Sequence, residues 1–183
     1  MTRGPTLLAL ARAAVSESLE GPVVQIPPEP WLQAPGACFV TLKKEGELRG
    51  CIGTLEPHRS LGKDVVENAK SAAHRDPRFS PLRRNELDLV RFEVSLLTPM
   101  ERLEVETEQE AIAKLRPGVD GVLLQWGTYR GVFIPKMWGM LPTPEEFLAV
   151  LKRKAGLPSR EWRPGTRLWR FTAEDWAEPE LRN

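Results

Sequence analysis

The chain reads as an α+β protein built around a mainly antiparallel sheet. Segments whose apolar residues recur at helical spacing are interspersed with segments whose apolar residues alternate. The strongest strand-like pairs are neighbours in sequence, as hairpins require. With 183 residues, 41% of them apolar and 28% charged, the chain suits one soluble globular domain of ordinary size.

The run 6-TLLALARAAVSESLE-20 predicts a helix with Leu7, Leu10, Ala11, Ala14 and Val15 on one stripe; Arg12 breaks the apolar stretch that a signal peptide would need. A proline-rich connector, 21–36, follows, with Trp31 and Leu32 tucked in. Then comes a hairpin of 37-ACFVTLKK-44 and 47-ELRGCIGT-54. A three-residue loop, Lys44-Glu45-Gly46, pairs Lys43 with Glu47, Leu42 with Leu48, Thr41 with Arg49 and Phe39 with Cys51. That register sorts polar from apolar partners and puts Arg49 and Cys51 on one face, with Cys38 on the other.

Ser60 is positioned to cap a helix over 61–75, with Leu61, Val65, Ala69 and Ala72 as its inner stripe, ended by Asp76-Pro77. A turn-rich connector, 78–87, leads into 88-DLVRFEVSLLTPM-100. There Val90, Phe92, Val94 and Leu96 alternate with Leu89, Arg91, Glu93 and Ser95, as in a half-buried strand. A short helix is predicted over 107–115, and strands over 121–126 and 129–135 around Gly127-Thr128. Thr143-Pro144-Glu145-Glu146 marks a helix start, and the helix 144–155 stops at Gly156. A last strand is predicted over 166–174.

Charge and motif content narrow the function. With 26 basic against 25 acidic residues, a uniformly basic nucleic-acid binder is disfavoured, and six scattered tryptophans read as packing residues; nucleic acid is not an expected partner. No segment approaches the roughly 18 apolar residues of a membrane span. Two cysteines make neither a disulfide framework nor, by themselves, a zinc site, so the expected setting is cytoplasmic and reducing, with no metal and no cofactor. Phosphate-loop, dinucleotide, zinc-protease and nucleophile-elbow motifs are missing.

The chemistry that remains centres on Cys51, set between Gly50 and Gly53. A nucleophilic cysteine works as its thiolate, which a nearby cation such as Arg49 favours, with His58 or His74 as a candidate base. The alternative is a compact thiol in a strand whose glycines allow close packing. In 74-HRDPRFSP-81, Arg78 and Arg75 could hold a carboxylate or phosphate with Asp76 orienting one of them, or Asp76 could simply stop the helix. Lys136 and Trp138, where a strand gives way to a loop, are either ligand contacts or anchors.

The hexapeptide 48-LRGCIG-53 resembles the defining motif of the AMMECR-type domain family. In the same order, 72-AAHRDPRFSPL-82, 93-EVSLLTP-99, 120-DGVLLQWGTYRGVFIP-135 and 145-EEFLAVLKRKAGL-157 resemble further segments of that family. The resemblance implies a single two-lobed α+β domain over 1–183, the larger lobe from both chain ends and the smaller from the middle, with the 48–53 strand bordering a cleft. It also implies a place as protein A of the AmmeMemoRadiSam system, beside a Memo-type and a radical-SAM protein. The family's biochemistry is not established. Two readings follow. In one, the protein is an enzyme or accessory subunit with Cys51 and His74 as catalytic groups and Arg49, Gly50, Gly53, Asp76 and Arg78 around a small anionic ligand. In the other, it is a non-catalytic binding module using the same glycine-rich surface.

Overall fold

The computed structural model describes residues 2–180, which form an α+β fold of two four-stranded antiparallel sheets flanked by helices. The chain divides into two units, one running to Leu97 and resuming at Glu174, the other Thr98–Ala173.

In the first unit, α1 (Arg3–Ser18) buries Leu7, Leu10, Ala11, Ala14 and Val15, the predicted stripe. The connector contains one helical turn, α2 (Pro30–Gln33), that seats Leu32 out of solvent. The sheet runs in the order β2 (Glu47–Gly53), β1 (Cys38–Lys44), β3 (Val90–Leu97), β8 (Ala173–Ala177). One face meets α1 and α3 (Leu61–His74), and the core there includes Leu42, Val40, Val65, Ala69, Phe92 and Val94. Ser60 sits at the helix start with an extended backbone, but its side chain makes no cap; its carbonyl accepts the Asp64 amide instead. A 3-10 turn over Arg84–Leu89 shortens the predicted strand to its last eight residues before Thr98.

The hairpin register departs from the expected one. The loop is a two-residue turn, with Glu45 at φ 53° and Gly46 at φ 81°, the left-handed pair that suits strand twist. Lys44 pairs with Glu47 and Lys43 with Leu48; the ladder then slips, and Leu42 pairs with Gly50, Thr41 with Cys51 and Val40 with Ile52. Arg49 is the extra residue of that bulge. Beyond the bulge the pairing lies two residues from the expected register. A shift of two preserves the face, so Cys51 still looks away from Cys38. For Arg49 itself the bulge breaks the alternation.

In the second unit the sheet order is β4 (Glu101–Leu103), β7 (Arg167–Phe171), β5 (Gly121–Trp126), β6 (Tyr129–Phe133). Helix α5 (Pro144–Lys154) packs on β6, with Phe147, Leu148 and Leu151 buried against Val122, Leu124 and Leu168. Its start is the predicted capping box: Thr143 Oγ1 accepts the Glu146 amide at 3.3 Å and donates to the Glu146 carboxylate at 3.1 Å. The short helix α4 (Glu108–Lys114) is likewise capped, by Thr107. Lys152 is buried because its ammonium reaches Glu108 at 2.6 Å and the Glu161 carbonyl at 3.1 Å. The predicted last strand, 166–174, is in fact two, β7 and β8, assigned to different sheets. They part at Thr172, whose carbonyl accepts the Thr98 amide and whose amide donates to the Thr98 hydroxyl. No helix among the described residues is long and apolar enough to cross a membrane.

Candidate functional site

Strand β2 is an edge strand, and its outer backbone groups need partners. The segment after α3 provides them. The Asp76 carboxylate accepts the Cys51 amide at 2.9 Å and Arg78 Nη2 donates to the Cys51 carbonyl at 3.4 Å, while in return the Arg49 side chain of β2 donates through Nη1 to the Ser80 carbonyl at 2.9 Å. The folded chain thus brings Cys51, Asp76 and Arg78 together, and Asp76 orients Arg78 as the sequence suggests.

Asp76 is 4% exposed yet charged. Arg78 donates to it through Nε at 3.0 Å, Nη2 at 2.8 Å and the backbone amide at 3.1 Å. The Arg78 hydrogen bonds, ahead of the Cys51 amide, hold the Asp76 carboxyl down at about 2. The same pairing raises Arg78. With Nε and Nη2 engaged, Arg78 Nη1 has no protein partner among the described residues, and the side chain is 55% exposed. An exposed, pre-oriented guanidinium nitrogen is suited to receive a carboxylate or phosphate oxygen.

Arg49 stands differently. Nε and Nη2 grip Glu86 at 3.2 and 3.0 Å, and Nη1 is taken by Ser80. Lys44 joins the same carboxylate at 3.1 Å, and Arg49's hydrogen bonds, first among several, hold Glu86 at about 2. An open pocket of about 340 Å³ lies here, lined by Lys44, Arg49, Ser80, Arg83, Asn85 and Glu86. Every nitrogen of Arg49 is therefore engaged within the fold, by Glu86 and Ser80, whereas the Cys51 sulfur is bonded to Thr41. The expected pairing of Arg49 with Thr41 does not form, because Arg49 is the extra residue of the bulge and Cys51 takes that place.

Both glycines of the motif have packing partners. A Cβ on Gly50 would stand 2.1 Å from the Ala72 carbonyl oxygen of α3, and one on Gly53 would stand 2.2 Å from the Phe39 ring. The bare backbone admits a helix on one side and an aromatic ring on the other.

Cys51 is partly exposed, and its sulfur accepts the Thr41 hydroxyl at 3.1 Å. Thr41 also pairs with Glu93 on β3, so Cys51, Thr41 and Glu93 form one row across three strands. Thr41 and Glu93 are nearly buried, and Lys43 meets the Glu93 carboxylate at 3.0 Å. Sequence reasoning did not single out Thr41. Glu93 lay on the polar side of an alternating strand and opened the family-like segment 93-EVSLLTP-99, but neither signal gave it a role at the site.

His74 lies elsewhere in its bonding. Its Nε2 is 2.8 Å from Ser18 Oγ, burial followed by the Arg75 charge lowers its pKa, and it shares no hydrogen bond with Cys51. His58 is exposed, with Nδ1 3.3 Å from the Glu56 carbonyl. Trp138 is an anchor: it stacks on Phe147 at 4.0 Å and donates to the Asp120 carbonyl at 2.7 Å.

A second polar cluster went unread in the sequence. Asp64, wholly buried on α3, accepts the Cys38 amide at 2.9 Å, Thr54 Oγ1 at 2.8 Å, Arg59 Nε at 2.8 Å and Asn68 Nδ2 at 3.0 Å. Cys38 directs its thiol at the same carboxylate, and burial, then Asp64, pushes that thiol well above the usual range. Both cysteines are free. Among the described residues, no group of three His, Cys, Asp or Glu side chains is placed to hold a metal.

Comparison with known proteins places this geometry in a wider set. A family model described as AMMECR1 matches residues 8–176. A protein of Methanothermobacter thermautotrophicus is 44% identical over 179 residues, covering 93% of this chain and 92% of its own length. One of Methanocaldococcus jannaschii is 38% identical over 192 residues, covering 100% and 93%. The crystal structure of an uncharacterized protein from Pyrococcus horikoshii superposes with a TM-score of 0.88 at 36% identity, covering 96% of this chain and 91% of that one.

Proposed function

This chain belongs to the AMMECR1 family, and from that premise we propose that it is a binding module whose receptor group is Arg78 beside Cys51. The occupant is an anionic group, carboxylate or phosphate, carried by a small ligand or by a partner protein. The observation that carries the reading is the free Nη1 of an exposed guanidinium whose other nitrogens are locked by a buried carboxylate. Pre-organisation of this kind lowers the ordering cost of binding. Memo-type and radical-SAM proteins, which the resemblance implies as associates, are the partners we propose.

The test is a thermal-shift titration with inorganic phosphate and with succinate, paired with co-purification of a Memo-type protein. Arg78→Ala, with folding checked by circular dichroism, is expected to lose both responses; Arg78→Lys keeps the charge but not the fork and is expected to lose most of the phosphate response. An Arg78→Ala protein that responds like the parent would end this reading.

Thiol catalysis is the second reading, and the hydrogen bond from Thr41 to the Cys51 sulfur favours it. It requires Cys51→Ser to abolish a turnover that Arg78→Lys merely slows. His74 as its base would have to leave Ser18.

A further inference from the structure

The near-neutral total, 26 basic against 25 acidic, conceals a separation of charge within Thr98–Ala173. Residues 98–120, before β5, hold six acidic and three basic residues, whereas residues 127–173, after it, hold nine basic and three acidic, with Arg153, Lys154, Arg160, Arg163 and Arg167 interrupted by Glu161 alone.

The fold gathers part of this basic run at the tip of the β5–β6 hairpin. The Arg163 guanidinium lies over the Trp126 ring, 4.6 Å from its centroid. Trp126 Nε1 donates to the Pro164 carbonyl at 3.0 Å, which fastens that loop to the strand end. Tyr129 tilts 31° to Trp126 at 5.9 Å and is 43% exposed. On the opposite face, Gln125 pairs with Arg130 of β6 and with Arg167 of β7, so the three make one row. Gln125, Gly127, Gly165 and Arg167 line a pocket of about 180 Å³ at the end of that row. Arg167 is exposed and has no acidic partner among the described residues.

We propose that this hairpin tip is a binding site for single-stranded nucleic acid. Bases stack on Tyr129 and on the Trp126–Arg163 pair, and phosphates are met by Arg167 and by Arg163, which exchanges its 3.6 Å pair with Glu161 for the phosphate. Aromatic rings interleaved with guanidinium groups are what single strands recognise, because every base offers a flat face and every linkage a charge. An acidic protein partner would use the arginines but leave the exposed ring idle.

The experiment is fluorescence anisotropy with labelled dT20 and U20 oligonucleotides at about 50 and about 200 mM salt, the range over which phosphate contacts weaken steeply. Expected is saturable binding that falls with salt, loses about tenfold with Tyr129→Ala and survives Tyr129→Phe. Arg163→Ala with Arg167→Ala is expected to flatten the salt dependence by about two phosphate contacts. Circular dichroism checks that each variant folds. No binding at the lower salt overturns the proposal, as does binding that Tyr129→Ala leaves unchanged. So does competition by polyglutamate as effective as that by unlabelled oligonucleotide.

Discussion

Gly50 and Ala72 are in such close contact that a single added carbon on the glycine would sit 2.1 Å from the alanine carbonyl oxygen. The obstacle is helix backbone and cannot swing aside. Gly50→Ala should therefore destabilise by about 3 kcal/mol, the upper end for overpacking, as read from the urea midpoint. Gly53→Ala meets only the Phe39 ring and should cost about 1 kcal/mol, partly relieved when Phe39 is also changed to Leu. Equal losses for the two glycines would contradict this packing.

Acid stability should report the two paired carboxylates. Asp76 is held at about 2 against a usual 3.8, and Glu86 at about 2 against a usual 4.5. A folded-state value below the unfolded one adds stability that is fully present above the unfolded value and drains away as pH falls to the folded value. The loss should therefore run from about pH 4.5 to about pH 2. In Asp76→Asn the stability-versus-pH slope below pH 4 should be shallower than in the parent; urea midpoints across that range measure it.

The two thiols should separate cleanly. Cys38 is buried, and its thiol is pushed upward by burial and by Asp64, whereas Cys51 is partly exposed. A disulfide reagent should label one thiol in the native protein and both in denaturant. Cys51→Ser should remove the native labelling entirely. Rapid labelling of both without denaturant would mean that the Asp64 cluster opens readily.

Removing Asp64 should be among the costliest single changes. Five donors converge on this buried carboxylate, and Asp64→Ala strands the partly exposed Arg59 charge together with the Cys38 amide and thiol and the Thr54 and Asn68 side chains. A loss of about 3–5 kcal/mol is expected, measured by denaturant unfolding. Asp64→Asn, which keeps the shape but not the charge, should lose less.

Arg49→Lys tests the structural assignment of that residue. Lysine keeps the charge near Glu86 but cannot span both carboxylate oxygens and the Ser80 carbonyl together. A loss of about 2 kcal/mol is expected, with the phosphate response of Arg78 unchanged. Loss of that response without loss of stability would return the receptor role to Arg49.

Much of this was legible in the chain itself. Residues with local or periodic signals came through: the α1 stripe from Leu7 to Val15, the alternation around Phe92, the capping box of Thr143 and Glu146, and the pairing of Asp76 with Arg78 two residues on. Each depends on neighbours within a few positions, so spacing carries the information. The family motifs identified the kinship in the same way.

Tertiary structure decided the rest, because those choices depend on partners remote in sequence. Whether Arg49 or Arg78 keeps a free nitrogen was settled by Glu86, 37 positions from Arg49, and by a one-residue bulge opposite Leu42 and Lys43. The reason the motif needs its glycines lies in Ala72 and Phe39, and the reason Asp64 can be buried lies in Cys38, Thr54, Arg59 and Asn68. A pattern of residue types states what each segment tends to do. Hydrogen-bond satisfaction and steric fit among distant side chains choose which groups stay free to meet a ligand.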